Sequence, residues 1–193
     1  MDTVERLDGR ALLAIAIALL TWSSAYAAIA YALPAFTPGE VAFARLLIGS
    51  LCFAALLLVK RVPLPARRDW PQLALLGVLG LSVYHLCLNY AETRIASGTA
   101  SILISLVPAA TAAVSAFWLR ERLTLRTWIG LAVALIGTVL VVLASGQRVE
   151  VDPHALLVLV CVAVSAIFFV GQKALFARSS MVGVTAFAMF AGT

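Results

Sequence analysis

The stretch ALLAIAIALLTW, residues 11–22, decides the fold of this chain because a similar stretch, ALLVLVCVAVSA, begins 144 residues later at position 155. Further positions keep the same offset: Gly39 and Ala42-Phe43-Ala44 align with Gly183 and Ala186-Phe187-Ala188. In all, eight of the 39 aligned positions between 11–49 and 155–193 are identical. Since the glycine and the Ala-Phe-Ala triplet keep their distance from the preceding apolar stretch, the pattern indicates an internal repeat.

The composition indicates that lipid is the solvent for most of this chain. Of its 193 residues, 63% are hydrophobic and 12% are charged, and the mean hydropathy is +1.06. A soluble domain is nearer half apolar and a quarter charged, so a soluble enzyme is excluded. The net charge of +5 does not indicate a nucleic-acid partner, because the basic residues fall in loops between apolar runs.

The cysteines predict neither a metal site nor a disulfide framework. Cys52, Cys87 and Cys161 lie on three different apolar segments, and none has a second cysteine or a histidine at ligand spacing. We expect buried thiols that act as small hydrophobic groups, and we expect no metal and no cofactor.

The apolar runs predict an all-α membrane protein. A helix needs about 20 mainly apolar residues to cross a bilayer, and the backbone must satisfy its own hydrogen bonds there. Outer-membrane barrels show an alternating pattern, and this chain lacks it. Six complete spans and the start of a seventh are predicted: 11–33, 40–59, 71–91, 96–119, 127–145, 154–176 and 181 to the end.

The basic residues predict the orientation of these spans. Eleven fall on one side: Arg6, Arg10, Lys60, Arg61, Arg67, Arg68, Arg120, Arg122, Arg126, Lys173 and Arg178. The other side has only Arg94 and Arg148, and Arg45 lies inside the second span. Because cytoplasmic loops carry the excess of lysine and arginine, we expect a multi-pass protein with a cytoplasmic N-terminus.

The second copy of the repeat begins five predicted spans after the first, so it enters the membrane upside down. Inverted repeats are a hallmark of secondary transporters, whose substrate site lies near the midplane at the repeat interface. We assign 11–145 to the first five-helix repeat and 154–193 to the start of a second, incomplete one. Two full copies would give roughly 290 residues, so about a hundred further C-terminal residues are expected.

Residues 90–143 resemble the EamA-like family of the drug/metabolite transporter superfamily. The features that carry the resemblance, in order, are Ala96-Ser97, Ala100-Ser101, Pro108, Glu121-Arg122-Leu123, Trp128-Ile129-Gly130 and Gly137. The resemblance implies a ten-helix inner-membrane carrier of two inverted repeats, which moves small metabolites such as amino acids, often outward. It also implies a cavity between the repeats, to which helices one, three, four and six contribute. This chain departs from the family in lacking about helices eight to ten.

The third span carries a polar stripe of Ser82, His85, Asn89 and Glu92, spaced i, i+3, i+7 and i+10. These residues share one helix face, and such groups usually face the bundle interior or water. Two interpretations stay open. The stripe, flanked by Tyr84 and Tyr90, could line a substrate cavity, or its side chains could bond neighbouring helices. His85 could also carry protons, since its ordinary pKa lies near neutrality.

Other spans supply further candidates. Trp22 and Tyr26 lie mid-span rather than at an interface, so they indicate either an aromatic cavity or core packing. Ser97, Ser101, Ser105, Ala109 and Ala113 recur every four residues, which favours a packing seam, and Pro108 predicts a kink. The candidate cavity residues are Trp22, Tyr26, Tyr84, His85, Asn89, Ser101, Ser105, Pro108 and Gln172.

Two arguments concern residues outside that set. Arg45 lies five residues into the second span, where it could snorkel outward or pair with an anionic substrate. Gly130 and Gly137 share a face of the fifth span and predict a packing contact.

The most specific function that the sequence supports is a secondary carrier, in the exporting direction, of small metabolites such as amino acids or related compounds. It would work in the inner (plasma) membrane by alternating access. The chain has no Walker-type phosphate loop, and its one intramembrane histidine does not suit an enzyme. The alternative is a non-transporting membrane subunit or a truncated carrier remnant. Expected partners are the lipid bilayer and a small-molecule substrate, with no nucleic acid, and a homodimer would supply further helices.

Overall fold

A computed structural model describes residues 9–120, 124–144 and 152–193. They form seven helices: α1 Gly9–Ala32, α2 Pro38–Lys60, α3 Arg67–Glu92, α4 Ser97–Trp118, α5 Leu125–Ala144, α6 Ala155–Phe176 and α7 Met181–Gly192. Five of them, α1 to α4 and α6, are long and apolar enough to cross a membrane. The predicted all-α membrane fold is therefore confirmed. The Glu121-Arg122-Leu123 motif, Arg6 and Arg148 lie outside the described residues, and nothing is described of the Arg10 side chain.

Local chemistry fixes both ends of α2. Thr37 precedes the helix, and its Oγ1 accepts a hydrogen bond from the Glu40 backbone N–H at 3.3 Å. The Glu40 carboxylate in turn accepts from the Thr37 N–H at 2.8 Å. This capping box, with Pro38 at the start of the helix, satisfies donors that have no partner within a helix. At the other end, Arg61 adopts a left-handed conformation that stops the helix.

Two of the spanning helices are irregular in their middle. In α3, residues Val78–Val83 are π-helical. The wider turn changes the direction in which side chains before and after it point. In α4, the α-helical hydrogen bonding is interrupted at Ser105 and Leu106, between Ser97–Ile104 and Val107–Trp118. Pro108 causes the second irregularity because it has no N–H to donate to the preceding turn.

The α1–α2 hairpin and the α6–α7 hairpin contact opposite ends of α3. Asn89, near the C-terminal end of α3, donates to the carbonyl oxygen of Pro38 in the α1–α2 hairpin at 2.9 Å. Asp69, near the N-terminal end, accepts from Arg178 in the α6–α7 turn at 2.7 Å. Since the 26 residues of α3 span roughly 39 Å at 1.5 Å per residue, the two hairpins point in opposite directions, as an inverted repeat requires.

Helix α3 is packed tightly against α6 and α7. A Cβ on Gly77 would overlap the backbone carbonyl of Ala188 in α7, and one on Gly80 would overlap the ring of Phe168 in α6. Glycine therefore permits these backbones to approach closely, as small residues do in membrane bundles. The repeat counterparts α2 and α7 also meet, where Ser50 Oγ and Thr193 Oγ1 lie 2.6 Å apart.

Two apolar clusters form, one toward each end of α3. The outer cluster, named for the side with few basic residues, comprises Ile29, Val41, Leu88, Ala91, Ile95, Ala100, Val158 and Cys161. The inner cluster comprises Leu73, Leu76, Leu175 and Val184. Side chains in the middle of the bundle are thus bounded on both sides by closely packed hydrocarbon.

The predicted glycine contact of α5 has no partner among the described residues, and the prediction of buried thiols is wrong for Cys52. A Cβ on Gly130 or Gly137 would meet no atom within 4 Å, so the described residues place no neighbouring helix against that face of α5. Cys52 is exposed, whereas Cys87 is half-buried and Cys161 is buried. Both outcomes have one cause: an apolar residue in a membrane helix can face lipid as readily as protein, and hydropathy does not distinguish the two.

Candidate functional site

A cavity of about 800 Å³ lies in the middle of the bundle. Residues from α1, α3, α4 and α6 line it, and Arg45 reaches it from α2. Leu88 and Ile29 of the outer cluster form part of its wall. This volume is within the range of small-molecule sites, and its four main helices are those that the resemblance implies.

Helix α1 contributes an aromatic and aliphatic wall. Trp22, Ala25, Tyr26 and Ile29 line the cavity, and their spacing of i, i+3, i+4 and i+7 places them on one helix face. The two aromatic candidates predicted from this span thus lie together on the cavity wall. Trp22 remains 58% exposed, so part of its ring faces away from the protein.

Helix α3 contributes Tyr84 and His85 just after the π-helical segment. Their rings meet edge to face with centroids 5.3 Å apart. The His85 Nδ1 lies 2.8 Å from the carbonyl oxygen of Leu81, and since a carbonyl only accepts, Nδ1 is the protonated nitrogen. In the neutral ring Nε2 is then the acceptor that remains for a ligand.

Helix α4 contributes the polar wall around its break. Ser105 and Pro108 line the cavity, followed by Thr111, Ala112 and Ser115. Ser105 Oγ donates to the carbonyl of Ile102 at 2.5 Å, while Thr111 Oγ1 is buried and has no hydrogen-bond partner among the described residues. The sequence argument missed Thr111 and Ser115. Their signal is the spacing of three and seven residues from Pro108, which continues one face of the helix beyond the break.

Helix α6 closes the remaining side. Ser165, Phe168 and Phe169 line the cavity, and the two phenylalanine rings pack edge to face with centroids 5.7 Å apart. These residues were also missed, although two adjacent aromatic residues in mid-span carry the same signal that identified Trp22.

Arg45 occupies the border between two cavities. It lines the large cavity and also a smaller one of about 330 Å³ between α1 and α2. Its side chain is half-buried, and its Nη1 is buried without a hydrogen-bond partner in the described part of the chain. Of the two interpretations of Arg45, the position inside the bundle favours the one in which it meets a ligand.

Three candidates do not line the cavity. Asn89 is fully buried, and its Nδ2 bonds the carbonyl of Pro38. Ser101 donates to Gly98 of its own helix at 2.8 Å. Gln172 is 3% exposed and donates to the carbonyl of Phe168 at 3.3 Å.

The polar stripe of α3 is therefore not one surface. Ser82 donates to the carbonyl of Gly192 in α7 at 2.6 Å, Asn89 bonds α2, and His85 faces the cavity. Glu92 accepts from Ser97 of α4 at 3.4 Å. Bonds between helices account for Ser82, Asn89 and Glu92, whereas the cavity accounts for His85. The predicted stripe assumes regular α-helical spacing. The widened π-helical turn, which includes Ser82, changes the direction of Ser82 relative to the residues that follow it.

Comparison with known proteins places this geometry in context. Residues 9–143 match the EamA-like transporter family. A probable terminal-alkyne amino-acid exporter of Streptantibioticus cattleyicolor is 33% identical over 95% of this chain and 62% of its own length. An uncharacterized transporter, YdfC, of Bacillus subtilis is 30% identical over 89% of this chain and 56% of its own length. An uncharacterized transporter of Archaeoglobus fulgidus is 32% identical over 93% of this chain and 63% of its own length. The chain thus spans about 60% of the length of these relatives. No solved structure matches it.

Proposed function

We propose that this chain, which belongs to the EamA-like transporter family, moves small metabolites such as amino acids or related compounds outward across the inner membrane by alternating access. The observation that carries the proposal is the cavity of about 800 Å³. It lies between helices of the first repeat, α1, α3 and α4, and α6 of the second, which is where secondary transporters bind their substrates.

The two apolar clusters supply the barriers that alternating access requires. The outer cluster lies between the cavity and the α1–α2 hairpin, and the inner cluster lies between the cavity and the α6–α7 turn. On the inner side the barrier is reinforced by the ion pair of Asp69 with Arg178 and by the rings of Trp70 and Phe187, whose centroids are 5.1 Å apart. In the proposed cycle, one barrier separates while the other stays packed.

The direction and the substrate class are supported by similarity. The relative from Streptantibioticus cattleyicolor is named a probable exporter of a terminal-alkyne amino acid. An aromatic and aliphatic wall with a few hydroxyl groups suits a small molecule with an apolar part, because such sites combine apolar contact with a few placed polar groups.

Flux through purified protein in proteoliposomes tests the proposal. The substrates are a panel of radiolabelled amino acids, measured by counterflow. Ala112 lines the cavity, whereas the next residue, Ala113, is exposed. Ala112→Trp should abolish flux by filling the cavity, and Ala113→Trp should leave it unchanged. If the wild-type chain gives no counterflow with any compound of the panel, the carrier proposal is wrong and the non-transporting alternative replaces it.

The orientation is part of the proposal. Eleven basic residues on one side against two on the other support a cytoplasmic N-terminus. Leu64 and Thr93, both exposed, flank opposite ends of α3. Cysteines at these positions, in a background without the native cysteines, should react with a membrane-impermeant reagent from the cytoplasmic and the external side, respectively. Reaction of both from one side would contradict the topology.

A further inference from the structure

The charge of the cavity is carried by one residue. Among the described residues that line it, Arg45 is the only side chain with a permanent charge, and no aspartate or glutamate is present. The other polar groups are neutral hydroxyls, the tyrosines and His85. The wall therefore offers one positive centre within a surface that is otherwise apolar or uncharged.

The guanidinium of Arg45 is incompletely satisfied by the protein. Its Nη1 is buried and has no hydrogen-bond partner in the described residues, and the same is true of Glu92 Oε1, so these two atoms do not bond each other. Glu40, on the wall of the smaller cavity, is engaged in the capping box with Thr37. Glu92 acts on the Arg45 guanidinium electrostatically but does not bond its Nη1. A half-buried cation without a bonded anion is unfavourable, so an anionic group of a ligand would complete the site.

The surroundings of Arg45 define the remainder of that ligand. Tyr26, Tyr84 and Leu88 line the same cavity, with Trp22 and Phe168 beyond them in α1 and α6. Such a wall favours an aromatic or aliphatic body. One guanidinium also balances one negative charge, whereas a phosphate dianion would leave an excess charge in a low-dielectric site.

We propose that the cavity binds small monocarboxylates with an apolar body, and that Arg45 is the residue that determines this specificity. The planar guanidinium matches a carboxylate in a paired, bidentate geometry. Because no described acidic side chain lines the cavity, the ammonium group of an amino acid is not required for recognition. The inference rests on the proposed function, and it extends the substrate class from amino acids to carboxylates that lack an amino group.

Binding of a matched pair of probes tests this inference. The probes are 3-phenylpropanoate and 3-phenylpropanamide, which differ in the carboxylate alone, and L-phenylalanine adds the ammonium. Affinities are measured by calorimetry on the purified full chain. The acid should bind about 10- to 100-fold more tightly than the amide, since a hydrogen bond to a charged group contributes about that factor. L-Phenylalanine should bind within about tenfold of the acid, as expected when no charged group meets the ammonium.

Variants assign the preference to Arg45. Arg45→Gln should remove the discrimination between acid and amide, and Arg45→Lys should restore part of it by keeping the charge without the planar fork. The control is Arg94→Gln, which removes an exposed arginine outside the cavity and should keep the full preference. The melting temperature of each variant reports folding, and Arg45→Gln should not melt below wild type because it removes a half-buried charge that has no bonded anion.

The outcomes separate this inference from the proposed function. Equal affinity of the wild type for acid and amide, no binding of either, or a preference retained in folded Arg45→Gln would overturn the role of Arg45. Counterflow of other metabolites in those cases would leave the carrier function standing. If the folded chain neither binds the probes nor gives counterflow, both proposals are wrong.

Discussion

Gly183→Ala should destabilise the chain, whereas Gly39→Ala at the repeat-related position should not. Both glycines lie in the first turn of a helix, α7 and α2 respectively. A Cβ on Gly183 would stand 2.6 Å from the carbonyl oxygen of Pro63, whereas one on Gly39 would meet nothing within 4 Å. The two positions therefore provide the same substitution in the same local structure, with and without a neighbour.

The magnitude follows from the overlap. The distance of 2.6 Å is 0.4 Å inside the 3.0 Å below which real Cβ contacts essentially do not occur, and the obstacle is backbone. Helix α7 cannot move away freely because Arg178, in the preceding turn, is bonded to Asp69. Overpacking of this kind costs typically 1–3 kcal/mol, and alanine returns up to about 1 kcal/mol of helix propensity. A net loss of about 1–2 kcal/mol is expected for Gly183→Ala, against a gain of up to about 1 kcal/mol for Gly39→Ala.

Thermal unfolding of both variants in detergent measures the difference. A loss of 1–2 kcal/mol corresponds to a melting temperature lower by roughly 2–8 °C in a chain of this size. Gly130→Ala, where a Cβ also has open space, serves as a second control. If Gly183→Ala has the same melting temperature as Gly39→Ala and Gly130→Ala, the close approach of α7 to the α2–α3 loop is not present in the protein.

Other substitutions separate stability from binding. Asn89→Ala should lower stability by about 1–3 kcal/mol, because it removes a fully buried group that bonds Pro38, and should leave substrate affinity unchanged in calorimetry. His85→Ala should weaken substrate binding about 3- to 10-fold through the loss of one hydrogen bond, with little change in melting temperature. Loss of affinity in Asn89→Ala together with loss of stability alone in His85→Ala would contradict the roles given to the two residues. A double-mutant cycle of Asp69→Asn and Arg178→Gln should give a coupling free energy of about 1–2 kcal/mol, since the Asp69 side chain is 4% exposed and the Arg178 side chain 44%. Additive effects of the two substitutions on stability would show that this pair does not reinforce the inner barrier.

Hydropathy and helical periodicity suffice for the architecture because the bilayer constrains it so strongly. A run of about 20 apolar residues must form a helix, and because five predicted spans lie between the start of 11–22 and the start of 155–166, the second copy is inverted. The aromatic pair Trp22 and Tyr26 could also be placed, since mid-span aromatics one turn apart have few alternatives to a cavity or a core.

The same reasoning cannot separate a cavity from a helix contact. Ser101 and Ser105 are one turn apart and chemically identical, yet only Ser105 lines the cavity, because Ser101 lies about 6 Å nearer the start of the helix. His85 and Asn89 are also one turn apart, yet His85 lines the cavity, whereas Asn89 bonds Pro38 of α2. Phe168 shows the limit most clearly: an aromatic residue in mid-span is a candidate for the cavity, but on an almost wholly apolar helix periodicity does not tell whether its ring faces the cavity or lipid.

Thiol modification at Ser105 and Ser101 tests the central claim, that substrate occupies the cavity between α1, α3, α4 and α6. Each serine is replaced by cysteine in a chain that lacks the three native cysteines, and counterflow is measured before and after treatment with a small thiol reagent. Modification of Ser105→Cys should block flux, and substrate should slow that modification, whereas Ser101→Cys should keep its flux. Equal inhibition and equal protection at the two positions, or protection at Ser101→Cys alone, would contradict the account.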